Sequence, residues 1–174
     1  HGLPCTVLDH DAEMIEAARR FGYRVFYGDA TRLDLLRTAG AGNARILVVA
    51  VDDVEQSLEI VDLARTHFPT LQIVARARDV RHWSQLRDRG VMLVQRELFE
   101  SSLMSARSVL ELMGQPAESA ERAVQTFRQH NLALFEQLHP HYKDSAKLIS
   151  VVKQGRQQLE EQLARERAEQ PPRI

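Results

Sequence analysis

The sequence predicts an α/β fold, with a parallel sheet in its first part and a helical region after it. Three observations carry that expectation. Short apolar runs alternate with helical stretches from Thr6 to Val94. The strongest run, Ile46-Leu47-Val48-Val49-Ala50-Val51, is continuous rather than alternating, as in a parallel strand buried on both faces. From Glu97 onward the strand-like runs stop and helical patterns take over.

The elements follow in order. Thr6-Val7-Leu8 is a short strand ending in Asp9, and Ala12 to Phe21 reads as a helix closed by Gly22. Arg24 to Tyr27 is the second strand, running into Gly28-Asp29-Ala30-Thr31. Leu33 to Ala39 is a short helix, and Gly40 to Asn43 supply a turn before the Ile46–Val51 strand. Val54 to His67 is helical and Pro69 marks the break. Leu71 to Ala75 is the next strand, Val80 to Arg89 the next helix, and Val91 to Val94 the last strand. Strands alternating with helices in this way indicate right-handed crossovers in one parallel sheet. Beyond it, Leu98, Leu103, Val109, Leu110 and Met113 mark a helix ending at Gly114. Pro116 opens another, with Ala120, Ala123, Val124, Phe127, Leu132 and Phe135 as packing positions. Pro140 interrupts it, and Tyr142 to about Arg167 is a long, increasingly polar helix with a frayed tail at Pro171-Pro172.

Composition narrows the function. The chain has 174 residues, 44% of them apolar, which suits a globular domain with a core. Its 23 basic and 24 acidic residues nearly cancel, against a nucleic-acid binder whose affinity rests on a basic face. No apolar run reaches the roughly 20 residues of a membrane helix. The N-terminus shows no signal-peptide pattern. The single cysteine, Cys5, rules out an internal disulfide, and it is expected on a strand as a small buried apolar residue.

Few residues offer chemistry. Asp9 ends a strand, where a dinucleotide-binding fold places the acid that accepts hydrogen bonds from the adenosine ribose. Asp29 ends the adjacent strand, where adenine would lie. Either could be a simple helix N-cap, and their matched positions favour the ligand reading. The fingerprint G-x-G-x-x-G is absent. His1-Gly2-Leu3-Pro4 looks like the end of a helix, so the first strand and the phosphate-binding turn are expected upstream. Omitting that strand would leave a slot about 10 Å wide between the Thr6–Leu8 and Ile46–Val51 strands, which an upstream segment, a neighbouring chain or direct closure of the two halves must fill, the first being favoured. Arg76, Arg78, Arg81, Arg87 and Arg89 read as a salt-bridged face, with an anion site as the sharper alternative. Asp79 is then an N-cap or a ligand contact, and Asp52-Asp53 a loop end and helix N-cap. His139-Pro140-His141 lacks the neighbouring cysteines or carboxylates of a metal site.

Several motifs in order resemble the Kef family: Val7-Leu8-Asp9-His10-Asp11, then Val25-Phe26-Tyr27-Gly28-Asp29-Ala30-Thr31-Arg32, then Asp34-Leu35-Leu36. Asp52-Asp53, His67-Phe68-Pro69, Leu71-Gln72-Ile73 and Ala75-Arg76-Ala77-Arg78-Asp79-Val80 continue the likeness. Arg96-Glu97 with Phe99-Glu100, and Phe127-Arg128 with Asn131, extend it to about residue 135. Kef proteins are glutathione-gated potassium/proton antiporters of bacterial inner membranes. The resemblance implies a cytosolic, noncatalytic, ligand-sensing domain of the potassium-conductance-regulator type. It implies a Rossmann-like nucleotide-binding domain over residues 1–96 and a helical dimerisation and sensing extension over 97–174. Its nucleotide, AMP or NAD(H), is expected at Asp9, Gly28, Asp29, Ala30 and Thr31. Its glutathione is expected at Asp79, Arg96 and Asn131, with one further arginine upstream of His1. The implied partners are a second copy, the membrane antiporter domain of the same protein, and a flavin-type oxidoreductase as ancillary subunit. Two alternatives stand beside this. One is an NAD-dependent oxidoreductase fragment, for which the helices after Arg96 offer no evident proton donor. The other is the regulatory subunit of a potassium uptake system, which shares the fold and lacks the glutathione positions.

Overall fold

The computed structural model describes residues 3–168, with side chains as far as residue 165. The expected frayed tail at Pro171-Pro172 and the helix end at His1-Gly2 lie outside the described residues. The chain divides into two compact units. One comprises the chain to Arg78 together with Gln85–Gln95; the other comprises Asp79–Ser84 and the chain from Arg96 onward.

The first unit holds the strands. β1 (Thr6–Asp9) pairs in parallel with β2 (Arg24–Tyr27), Asp9 opposite Tyr27. Between them α1 (Ala12–Arg20) starts on Asp11, whose carboxylate accepts from the backbone N–H of Glu13 at 2.8 Å and Met14 at 3.3 Å. That satisfies donors the first helical turn leaves open. α2 (Leu33–Thr38) follows, then a 3-10 turn at Ala41–Asn43. β3 (Ile46–Val49) pairs in parallel with β4 (Gln72–Ala77), and β4 neighbours β5 (Leu93–Arg96). α3 (Val54–His67) connects β3 to β4 and packs on β3; its first turn is capped by Asp53, which accepts from Gln56 N at 2.8 Å. α4 (Val80–Asp88) connects β4 to β5. Ile15, Val25, Leu36, Val49, Leu58, Val61, Ile73, Ala75, Leu86 and Val91 are buried.

Two expectations about the strands are corrected. The Ile46–Val51 run is a strand only to Val49, and it is not buried on both faces: Ile46 is 55% and Val48 64% exposed, while Val49 is 2%. β3 ends its ladder, and among the described residues no ladder joins it to β1, so the β1–β2 and β3–β4–β5 sheets are separate. Cys5 is exposed rather than buried, and it lies one residue before the β1 ladder, which begins at the Thr6–Arg24 pair.

The second unit is helical. α5 (Phe99–Leu112), α6 (Ala117–Leu138) and α7 (Ser145–Ala168) are joined so that α6 packs against both neighbours. Leu103, Ala120, Val124 and Leu138 fill the contacts. Pro140 sits in a 3-10 turn, His139–His141, that ends α6. α7 starts at Ser145 rather than Tyr142, because Asp144 caps it, accepting from Lys147 N at 3.1 Å. Phe127 and Leu132, expected as packing positions, are 37% and 51% exposed. No helix among the described residues is long and apolar enough to cross a membrane.

Candidate functional site

The β1–β2 ladder brings Asp9 and the Gly28–Thr31 loop to the same sheet end. The ladder continues one step beyond the strands, Gly28 N donating to the Asp9 carbonyl at 2.9 Å. Each acid organises its own turn. Asp9 Oδ1 accepts from Asp11 N at 2.9 Å, and Asp29 Oδ1 accepts from both Thr31 N and Thr31 Oγ1 at 2.8 Å. These are the local side-chain bonds that stabilise Asx turns. They engage one oxygen of each carboxylate and leave the other to face solvent or a ligand. The two Thr31 bonds hold the Asp29 carboxyl below its ordinary value, with His10 and Arg32 adding a smaller electrostatic pull. Gly28 is fixed by space as much as by conformation. Its φ is +155°, and a Cβ there would collide with Leu35 Cδ1. Ala30 completes the loop without a polar group.

The second candidate set lies in the helical unit. Asp79 caps α4, its Oδ1 accepting from His82 N at 2.8 Å. Arg96 and Asn131 are brought together directly: Arg96 Nη1 donates to Asn131 Oδ1. Arg96 Cζ also lies over two aromatic rings, 3.9 Å from the Phe99 centroid and 3.8 Å from that of Phe135. Phe135 in turn receives Trp83 of α4 edge-on, centroids 5.7 Å apart at 86°. The ring contacts thus run from the helix capped by Asp79 to the arginine. Burial lowers the Arg96 guanidinium from its ordinary value, and the nearby Glu100 carboxylate opposes that shift. Glu100 is itself engaged by Arg128, through Nε at 3.2 Å and Nη2 at 2.5 Å. Arg96 therefore has no ion-pair partner among the described residues.

The remaining candidates are structural. Arg76 pairs with Asp52 and Arg89 with Asp62, the latter at 2.8 Å, and Arg78 Nη1 donates to the Asp52 carbonyl at 3.3 Å. Of the five arginines, Arg76 and Arg89 thus form ion pairs. His139 packs against Trp83 and stacks on Tyr142, and no metal-holding cluster occurs among the described residues. A groove of about 460 Å³ runs along α3, lined by Glu55, Glu59, Asp62, Leu63 and Arg89, and contains none of the nucleotide or glutathione candidates. Sequence reasoning missed Phe135 and Trp83 as neighbours of Arg96. Phe135 stood out only as an apolar helix position, and no local pattern links residues 83, 96 and 135.

Comparison with known proteins finds matches for both parts of the chain. The TrkA-N domain model matches residues 1–97, and the model of the potassium efflux system KefB C-terminal domain matches residues 101–173. A Shewanella denitrificans Kef C-terminal domain, solved in AMP-bound form, superposes with a TM-score of 0.74 at 42% identity, covering 80% of this chain and 84% of that one. The chain belongs to the Kef C-terminal domain family. Its Kef relatives include the glutathione-regulated potassium-efflux system protein KefC of Salmonella arizonae, 43% identical over 95% of this chain. The chain spans only 27% of that relative's length. The TrkA-N domain of the inner membrane protein ybaL of Escherichia coli is also similar, with a TM-score of 0.54 at 25% identity, covering 63% of this Kef chain and 78% of that domain.

Proposed function

We propose that this Kef domain is the ligand-sensing regulatory part of a bacterial glutathione-gated potassium efflux antiporter, and that it performs no catalysis. A nucleotide, AMP or NAD(H), binds across Asp9 and the Gly28-Asp29-Ala30-Thr31 loop. Glutathione or its adducts bind at Arg96 and Asn131, with Asp79 on the adjoining helix start. Gating needs only that the ligands bind the open and closed states unequally. The domain acts as a homodimer through the helical extension after residue 96. Leu98, Val109, Leu112 and Met113 support this, being 53–88% exposed at or near α5. The domain lies on the cytoplasmic face of the inner membrane beside the antiporter domain of the same protein, with a flavin-type oxidoreductase as ancillary partner.

The observation that carries the glutathione site is the unpaired cation. Arg96 is partly withdrawn from water, and its nearest acid is already held by Arg128. A half-buried charge without a direct ion pair is a candidate place for an anion. Glutathione supplies carboxylates, which guanidinium donors match in pairs. Titration calorimetry on the intact protein tests the site. Arg96→Ala removes a charge-assisted bond and is expected to weaken glutathione binding roughly tenfold or more. Unchanged affinity in that variant would reject the site.

A further inference from the structure

The surroundings of Arg96 say more than that an anion binds there. Its Cζ stands 3.9 Å from one ring centroid and 3.8 Å from the other. Both rings are therefore in direct contact with the guanidinium. A guanidinium carries five N–H donors, all in its own plane. One of them, on Nη1, is given to Asn131 Oδ1. The other donors of Arg96 have no hydrogen-bond partner among the described residues. Asn131 spends its carbonyl oxygen on Arg96, so the amide nitrogen is the group it has left to offer a ligand. Arg96 and Asn131 together present donors beside two aromatic rings.

We propose that Phe99 and Phe135 are specificity-determining positioning residues, which restrict the Arg96 site to a planar carboxylate entering edge-on. The proposal rests on Arg96 being a ligand contact, as argued above. It adds that the rings, and not charge alone, select the ligand. A tetrahedral anion or a masked carboxylate cannot exploit the edge in the same way, and an ammonium in place of the guanidinium has no edge to offer.

The test compares glutathione with glutathione diethyl ester, whose carboxylates are blocked, by calorimetry on the intact protein. Arg96→Ala is the control for the site itself. If glutathione binds that variant unchanged, the site assignment falls, whatever the rings do. Given a loss there, Phe99→Leu and Phe135→Leu are expected to reduce the preference for the acid over the ester by roughly fivefold, the worth of a partly desolvated cation–π contact. Phe99→Tyr and Phe135→Tyr keep the rings and should keep the preference within about twofold. A purely structural role for the phenylalanines would weaken acid and ester alike and leave their ratio unchanged. That result in both leucine variants overturns the proposal. Arg96→Lys keeps the charge and both rings and serves if the leucine variants do not fold. It is expected to lose the acid preference, and retention of the wild-type ratio would equally overturn the proposal.

Discussion

Single residues at the strand ends were legible, and their partners were not. Asp9 and Asp29 could be picked out because a carboxylate after an apolar run has few roles: cap, turn or ligand contact. The structure shows both forming turns with one oxygen, which is compatible with ligand contact through the other. That Thr31 would hold Asp29 with two bonds could be guessed from their spacing; that Phe135 would meet Arg96 could not, since 39 positions of sequence hide the contact. The Asp29 turn has a measurable consequence. Its carboxyl titrates below the ordinary carboxylate value because the ionised form accepts from Thr31 N and Oγ1. A depressed carboxylate stabilises the fold above its unfolded-state value, and that contribution is lost as the pH falls through the lower, folded-state value. Thr31→Val removes the hydroxyl and keeps the backbone donor. The Asp29 midpoint, followed by carbon-detected NMR, is expected to move up toward the ordinary value. A midpoint that stays put would show that the hydroxyl bond contributes nothing.

At the level of elements, helix ends written in local chemistry matched well, as with Asp53 before α3 and Pro140 after α6. The start of α7 was misjudged because Tyr142 is as acceptable in a helix as in the turn before it, and the cap at Asp144 decided the matter. Less visible still was the packing of α7. Gly155, in a polar stretch, is buried where α7 approaches α6. A Cβ on it would lie 2.7 Å from Leu134 Cδ1 and 3.6 Å from His130 Nε2. Helix propensity alone favours a larger residue here by up to about 1 kcal/mol, whereas overpacking a tight contact costs about 1–3 kcal/mol. For leucine, a strong helix former, the steric term wins because the whole side chain must enter the α6 contact. Gly155→Leu is therefore expected to lower unfolding stability by roughly 1–2 kcal/mol and to speed amide exchange along α7. A stabilised variant would mean that α7 does not need this close approach.

For the molecule as a whole, the alternation of strands and helices revealed the fold class, but it implied a complete sheet that the described chain does not form by itself. In a parallel sheet both faces are normally covered by crossover helices. Leu47 and Val49 alternate with Ile46 and Val48 along β3. The Val49 side is buried, with α3 packed on the strand, whereas Ile46 and Val48 are 55% and 64% exposed. Among the described residues the outer edge of β3 has no partner strand, and the β1–β2 ladder stays separate from it. An apolar face and an unpaired edge at the same strand are an unfavourable surface for a protein to leave in water. The continuous apolar run at Ile46–Val49 suits a strand covered on both sides, and the full-length relatives contain far more chain than this domain. In the intact protein a further strand is expected to pair with the free edge of β3, and a helix to cover its Ile46–Val48 face. Val48→Asp separates the two states of this face. In residues 1–174 alone Val48 is largely in water already, so the substitution should change unfolding stability by no more than about 0.5 kcal/mol. In the intact protein the carboxylate would be driven under the covering helix, and the loss of apolar burial alone should cost on the order of 2 kcal/mol. Chemical denaturation of the domain, set beside pulse proteolysis of the intact protein, measures both quantities. Equal and small losses in the two would mean that nothing covers β3, and that the exposed face belongs to the working molecule.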